Sequence, residues 1–182
     1  KIDGNLPFRS PKEGKNIAYT SLWDNYPDSI SVMLKGKASH AYLLLAGSTN
    51  PMQYAIENAV IRVEYADGTS DELMLTPPVN WCPIEQDFLE NATVFPQPQL
   101  RPYRIGLASG KVSRHLFRDL HLEANRNMAD VPGFKKAVAE IDGGAAILLD
   151  MPLDGKKKLR RLTLRTLSNE VAVGLMGITL QK

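Results

Sequence analysis

The clearest alternation in the chain runs from Ala59 to Leu75. Ala59, Ile61, Val63 and Tyr65 share one parity, Arg62 and Glu64 share the other, and Leu73 and Leu75 resume the apolar parity after Asp67-Gly68. Strand side chains alternate with a period of two, and glycine supplies the positive φ of a tight turn, so this stretch predicts a β-hairpin. Ser29–Leu34 repeats the signal, with Ile30, Val32 and Leu34 opposed to Ser29 and Ser31. His40–Ala46 is near-continuously apolar and stops at Gly47-Ser48-Thr49-Asn50-Pro51, which reads as a buried strand. In Leu159–Leu167, Leu162 and Leu164 oppose Arg161, Thr163 and Arg165. In Glu170–Leu180, Val171, Val173 and Leu175 have odd parity, then Met176, Ile178 and Leu180 even parity. A β-bulge between Gly174 and Gly177 accounts for the slip, because one inserted residue turns every later side chain to the other face.

The rest of the chain is punctuated by turns. Residues 1–28, rich in Pro, Gly, Asn and Ser, predict an extended lead-in with a short strand at Asn16–Leu22. Residues 76–111 form a long irregular stretch with Pro77, Pro78, Pro83, Pro96, Pro98 and Pro102; short strands are expected at Thr93–Phe95 and Tyr103–Leu107. Val112–Leu122 is a helix candidate, with Leu116 and Leu120 at i,i+4. Asp142-Gly143-Gly144 marks a hairpin turn between Lys136–Ile141 and the apolar run Ala145–Met151. Eight to ten short strands, at most one helix and no internal repeat predict a single all-β domain over 1–182, with 1–15 as lead-in. The expected architecture is an antiparallel β-sandwich or jelly roll.

Composition narrows the function classes. With 43% apolar and 23% charged residues in 182, the chain has the makings of a packed core. No apolar run approaches the ~18–20 residues of a membrane-spanning helix. A net charge of +2 gives no global attraction to nucleic acid or to an anionic membrane, and neither is expected as a partner. The single cysteine, Cys82, excludes an internal disulfide and a Cys-rich zinc site. The chain starts at Lys1 with no hydrophobic leader, consistent with a leader or preceding domain having been removed.

Catalytic signatures are mostly missing. Ala46-Gly47-Ser48-Thr49-Asn50 lacks the second glycine of a nucleophile elbow, and Gly174-Leu175-Met176-Gly177 is no phosphate loop. His40, His115 and His121 form no paired metal motif, so neither metal nor cofactor is expected. Glu85 and Asp87 could form the carboxylate pair of a glycan hydrolase or lyase, helped by Arg101; solvated loop charges, or a salt bridge to Arg101 or Arg104, are the plainer account. Lys156-Lys157-Lys158 with Arg160, Arg161 and Arg165 reads as a solvated turn and a lysine-guarded edge strand rather than an anion-binding ridge. More suggestive are aromatics in expected loops or at strand edges: Trp23, Tyr26, Trp81 and Tyr103. Aromatic faces pack on sugar C–H surfaces, while Asp24, Asn25, Asn80 and Arg101 can bond hydroxyls. Trp81, stiffened by Pro77, Pro78 and Pro83, is the leading platform, with Asn80, Glu85, Asp87, Arg101, Tyr103 and Trp23 around it. The competing expectation makes Trp81 a lid on one end of the sandwich.

Three segments resemble a known group of domains. Lys37–Thr49 resembles the "gkA..lyLLlag" strand of galactose-binding-like jelly rolls. Val63–Leu73 followed by Asn80-Trp81 is similar to their "Y-x-D-G…N-x-x-W" hairpin, although here Trp81 follows Asn80 directly. Leu159–Leu167, Ser168-Asn169-Glu170 and Val171–Leu180 are similar to their paired closing strands. The likeness covers 16–82 and 143–180, and extends to a glycosidase-associated family of gut bacteria. It implies a non-catalytic accessory domain of a secreted or periplasmic carbohydrate-active protein, binding glycan weakly or packing against an adjacent glycosidase-like domain. A purely structural spacer is the remaining alternative.

Overall fold

The computed structural model describes residues 6–9, 13–49, 53, 55–85, 102–114 and 143–182. Among the described residues ten strands run in chain order: β1 Ala18–Ser21, β2 Ser29–Met33, β3 His40–Thr49, β4 Ala59–Tyr65, β5 Ser70–Leu75, β6 Tyr103–Gly106, β7 Val112–Ser113, β8 Ala145–Pro152, β9 Leu159–Thr166 and β10 Val171–Gln181. They form a six-stranded sheet, ordered β1-β10-β3-β8-β6-β7, and a four-stranded sheet, ordered β2-β9-β4-β5. Every pairing between strands is antiparallel. No α-helix occurs among the described residues.

The two sheets share one core, as the period-two patterns require. Leu43 and Leu45 of β3, Ile147 of β8 and Val173 of β10 belong to the same buried cluster as Ile61 and Val63 of β4 and Leu162 and Leu164 of β9. The arrangement is therefore sandwich-like. At one edge the sheets are also tied by a buried hydrogen bond between the Thr20 and Thr166 hydroxyls, 2.8 Å apart.

The expected bulge is present. β10 pairs Leu175 with Leu45 and then Gly177 with Leu44, leaving Met176 as the inserted residue. Val171, Val173 and Leu175 face the core before it, and Ile178 and Leu180 pack on the core after it. Gly174 and Gly177 have a packing reason. A Cβ at Gly177 would come within 2.8 Å of the Phe8 ring, and one at Gly174 would press on Ile17 and Tyr19. Pro7 and Phe8 thus lie over the outer face of the six-stranded sheet, where the Thr179 hydroxyl also donates to Pro7 O.

Two expectations are corrected. Val112–Ser113, taken as the start of a helix, is the edge strand β7. β9 is not an edge strand: β2 and β4 flank it, and Arg161 makes two hydrogen bonds to the Glu64 carboxylate, at 2.9 and 2.7 Å. Thr93–Phe95, Lys136–Ile141 and the remainder of the proposed helix, from His115 on, lie outside the described residues.

Candidate functional site

Antiparallel pairing collects the β1–β2 loop, the approach to β4, the residues after β5 and the β9–β10 turn at one end of the sandwich. Trp81 enters the core from this end. It is fully buried, 0% exposed, within the shared apolar cluster. It fits because β3 carries Gly47 above it: a Cβ there would collide with Ala172 O and come 3.1 Å from Trp81 Cη2. The following residues dock the plug on both neighbours, with Ile84 N–H donating to Gly47 O and Ala145 N–H to Ile84 O, each at 2.7 Å. Buried Arg104 of β6 reinforces it, donating through Nη2 to Pro83 O and Ala145 O at 2.9 and 3.1 Å. The platform expected of Trp81 is corrected accordingly: the residue closes the core, as the competing lid expectation has it, and offers no exposed face.

The described companions assigned to Trp81 form no shared surface with it. Asn80 clips its own turn, accepting from Thr76 N–H and donating to Met74 O. Glu85 is exposed. Asp87 and Arg101 lie outside the described residues, so the carboxylate pair is not on view. Tyr103 is half-buried on β6, with the Arg114 guanidinium 4.2 Å from its ring centre. β10, β3 and β8 separate β6 from β1, so Tyr103 and the β1–β2 loop that carries Trp23 belong to different edges of the six-stranded sheet.

Trp23 is where an exposed aromatic surface exists. It is 46% exposed and Tyr26 is 39% exposed, with ring centres 6.2 Å apart and planes tilted by 55°. Tyr19 meets Tyr26 edge-on at 6.4 Å, so the three rings form one cluster. The loop is a short closed turn. Tyr26 N–H donates to Trp23 O, and Ser21 N–H to Pro27 O, both at 3.0 Å. The Ser21 hydroxyl accepts from Trp23 N–H at 3.3 Å and donates to Val171 O at 2.7 Å, fastening the loop to β10. Asp24 and Asn25 lie between Trp23 and Tyr26 along the chain and are exposed.

Leu22, Ile56, Val79 and Leu167 are exposed at the same end. Two non-glycine residues with positive φ, Ala55 at 58° and Glu170 at 57°, lie in its loops. Such conformations carry a small backbone cost and concentrate where loops are held for a purpose. Among the described residues, no group of three or more His, Cys, Asp or Glu side chains could hold a metal ion. No described helix is long and apolar enough to cross a membrane. Comparison with family models, with curated proteins and with solved structures finds no match to this chain.

Proposed function

We propose that the chain is a non-catalytic β-sandwich module, of the jelly-roll, galactose-binding-like kind, that binds glycan through the Tyr19–Trp23–Tyr26 cluster. The observation that carries this reading is the exposed Trp23–Tyr26 pair on a hydrogen-bonded loop. Large rings left in water lose apolar hydration free energy unless something covers them, and two tilted faces suit the C–H surfaces of consecutive sugar rings. Asp24 and Asn25 supply the acceptors and donors that hydroxyls need. The loop is already fixed by its backbone hydrogen bonds, which lowers the ordering cost of binding. In this reading the module serves a secreted or periplasmic carbohydrate-active protein.

A second reading has its own support. Leu22, Ile56, Val79 and Leu167 extend the exposed apolar surface around the aromatic cluster, as a face packed against a neighbouring glycosidase-like domain would require. Calorimetric titration against a panel of neutral oligosaccharides separates the two. Glycan recognition predicts saturable binding by the wild type and its loss in Trp23→Ala and Tyr26→Ala, with unchanged melting temperatures. A wild type that binds no oligosaccharide, or a Trp23→Ala variant that binds as the wild type does, overturns the glycan reading.

A further inference from the structure

The opposite end of the sandwich holds a cleft of about 430 Å³, lined by Gly36, Lys37, Ala38, Ser39, Gly155 and Lys182. Three segments distant in sequence build it. The β3–β10 ladder ends at His40 opposite Gln181, which brings Lys37 and Lys182 to the same rim. Ser39 N–H then donates to Gln181 O, and Leu153 N–H to Ser39 O, both at 2.8 Å, fastening the β2–β3 loop to β10 and to the segment after β8. Gly155 lies against Ser39, where a Cβ would already be in contact at 3.5 Å. Gly36 has φ +84° and open space where a side chain would be, so backbone is exposed on that side.

Charge is concentrated here. The loops 34–39 and 153–158 with residues 181–182 contain six lysines and one aspartate, in a chain whose net charge is +2. Lys157 is neutralised: its ammonium lies 3.4 Å from Asp67 Oδ2 and 2.8 Å from the Thr69 hydroxyl. Asp67 is held as a carboxylate below its usual pKa, chiefly by the hydrogen bond from the Thr69 hydroxyl and then by Thr69 N–H. Lys35, Lys37, Lys156, Lys158 and Lys182 make no ion pair among the described residues. Asp154 sets one carboxylate against these five, and it accepts from Lys156 N–H rather than from an ammonium. Of these, Lys37 and Lys182 line the cleft itself and the others stand on the loops beside it; like charges gathered at one concavity repel each other, and an anion seated there relieves that repulsion.

We infer that this cleft is a second binding site, which takes an oxyanion group, carboxylate or sulfate, carried on an acidic glycan. That an anion binds follows from the cleft and its lysines; that a sugar carries it rests on the glycan reading above. The lining has no aromatic ring on which nucleobases could stack. It has no apolar side chain larger than alanine to insert into a bilayer. Lysine ammonium groups are mobile point charges, suited to oxyanions presented at variable angles along a polymer.

The test titrates the protein with a heparin-derived oligosaccharide of defined length, its desulfated counterpart, single-stranded DNA and phosphatidylserine vesicles. The sulfated sugar should bind most tightly, and the Lys37→Gln/Lys182→Gln double variant should weaken it about tenfold. The Lys37→Arg/Lys182→Arg variant should retain binding, and added salt should weaken the wild type more than the glutamine variant. Trp23→Ala should leave this binding intact, so failure of the aromatic site and failure of this one are told apart. The proposal is overturned if the sulfated sugar does not bind, or if the glutamine variant binds it unchanged. Equal binding of DNA or vesicles, with the same sensitivity to the variant, also overturns it in favour of an unselective cationic surface.

Discussion

Trp81 and Tyr65 close the two ends of the same core. Both are almost wholly inaccessible, and each lies under loops that present a different chemistry to solvent. Above Trp81 the loops expose Trp23, Tyr26 and further apolar side chains; beyond Tyr65 they expose lysines. The plugs are held differently. The Trp81 ring relies on shape, its Nε1 having no hydrogen-bond partner among the described residues, and on the missing side chain of Gly47. The Tyr65 hydroxyl is bonded twice, donating to Asp71 and accepting from Asp154 N–H at 2.8 Å, with the Lys157 ammonium 5.4 Å from its ring centre. At one end the ring is held by packing and only the residues after it by hydrogen bonds; at the other the ring's own hydroxyl is part of the polar network.

The largest effect should come from the packed end. Trp81→Ala should destabilise by about 3–5 kcal/mol, as large-to-small changes of buried aromatics do, in urea-denaturation curves. Trp23→Ala should stay within about 0.5 kcal/mol, because its ring is half in water. Similar losses for the two tryptophans would break the division between a structural and a surface aromatic.

Gly47→Ala tests the same plug from above. The new methyl must displace the backbone at Ala172 or push Trp81 aside, at a cost of about 1–3 kcal/mol. The near-ultraviolet circular dichroism of the buried indole should change with it. A variant as stable as the wild type, with an unaltered spectrum, would mean that Gly47 and Trp81 are not in contact.

These plugs show where the sequence was legible and where it was not. The Ala59–Leu75 hairpin and the bulge at Met176 were readable because both are local parity patterns imposed by a buried face. The burial of Trp81 was legible only as the competing lid on the sandwich end, with nothing local to decide for it. Its prolines announce a loop, but whether that loop folds inward depends on a glycine in β3 and on carbonyl partners for Arg104, none of them local. Nor does the alternation in Tyr103-Arg104-Ile105-Gly106 reveal that the arginine is the residue facing inward. Trp23 was readable as a candidate because a turn too short to bury its ring leaves it in water. The lysine cleft was invisible, since its walls come from three segments that only the β3–β10 ladder and the Leu153–Ser39 hydrogen bond bring together.

The polar end should respond to pH. Burial first, and then the hydrogen bond to Asp71, push the Tyr65 pKa up to about 12 from its ordinary value of 10.0. The folded state therefore favours the neutral phenol. Its contribution is fully present below pH ~10 and is lost as pH rises towards ~12. Tyr65→Phe should cost about 1–2 kcal/mol at pH 8, where two groups lose their hydroxyl partner. That gap should narrow as pH rises through this window. The comparison isolates the phenol, because wild type and variant carry the same lysines. A gap that stays constant to pH 12 would show that the phenol does not titrate with unfolding.

The smallest effect is expected at the cleft. Lys37 and Lys182 are exposed and belong to a group of lysines without ion pairs among the described residues, so they contribute no attraction that folding would lose. Lys37→Gln/Lys182→Gln should therefore change stability by less than about 0.5 kcal/mol. Its sign at low salt should be towards greater stability, because two like charges leave a crowded loop cluster. Added salt should raise the wild-type melting temperature slightly and that of the double variant less, since screening does for one what substitution has done for the other. A clear loss of stability in the variant would mean that these lysines are held by attraction within the fold, as Lys157 is by Asp67, and are not free to meet an anion from outside.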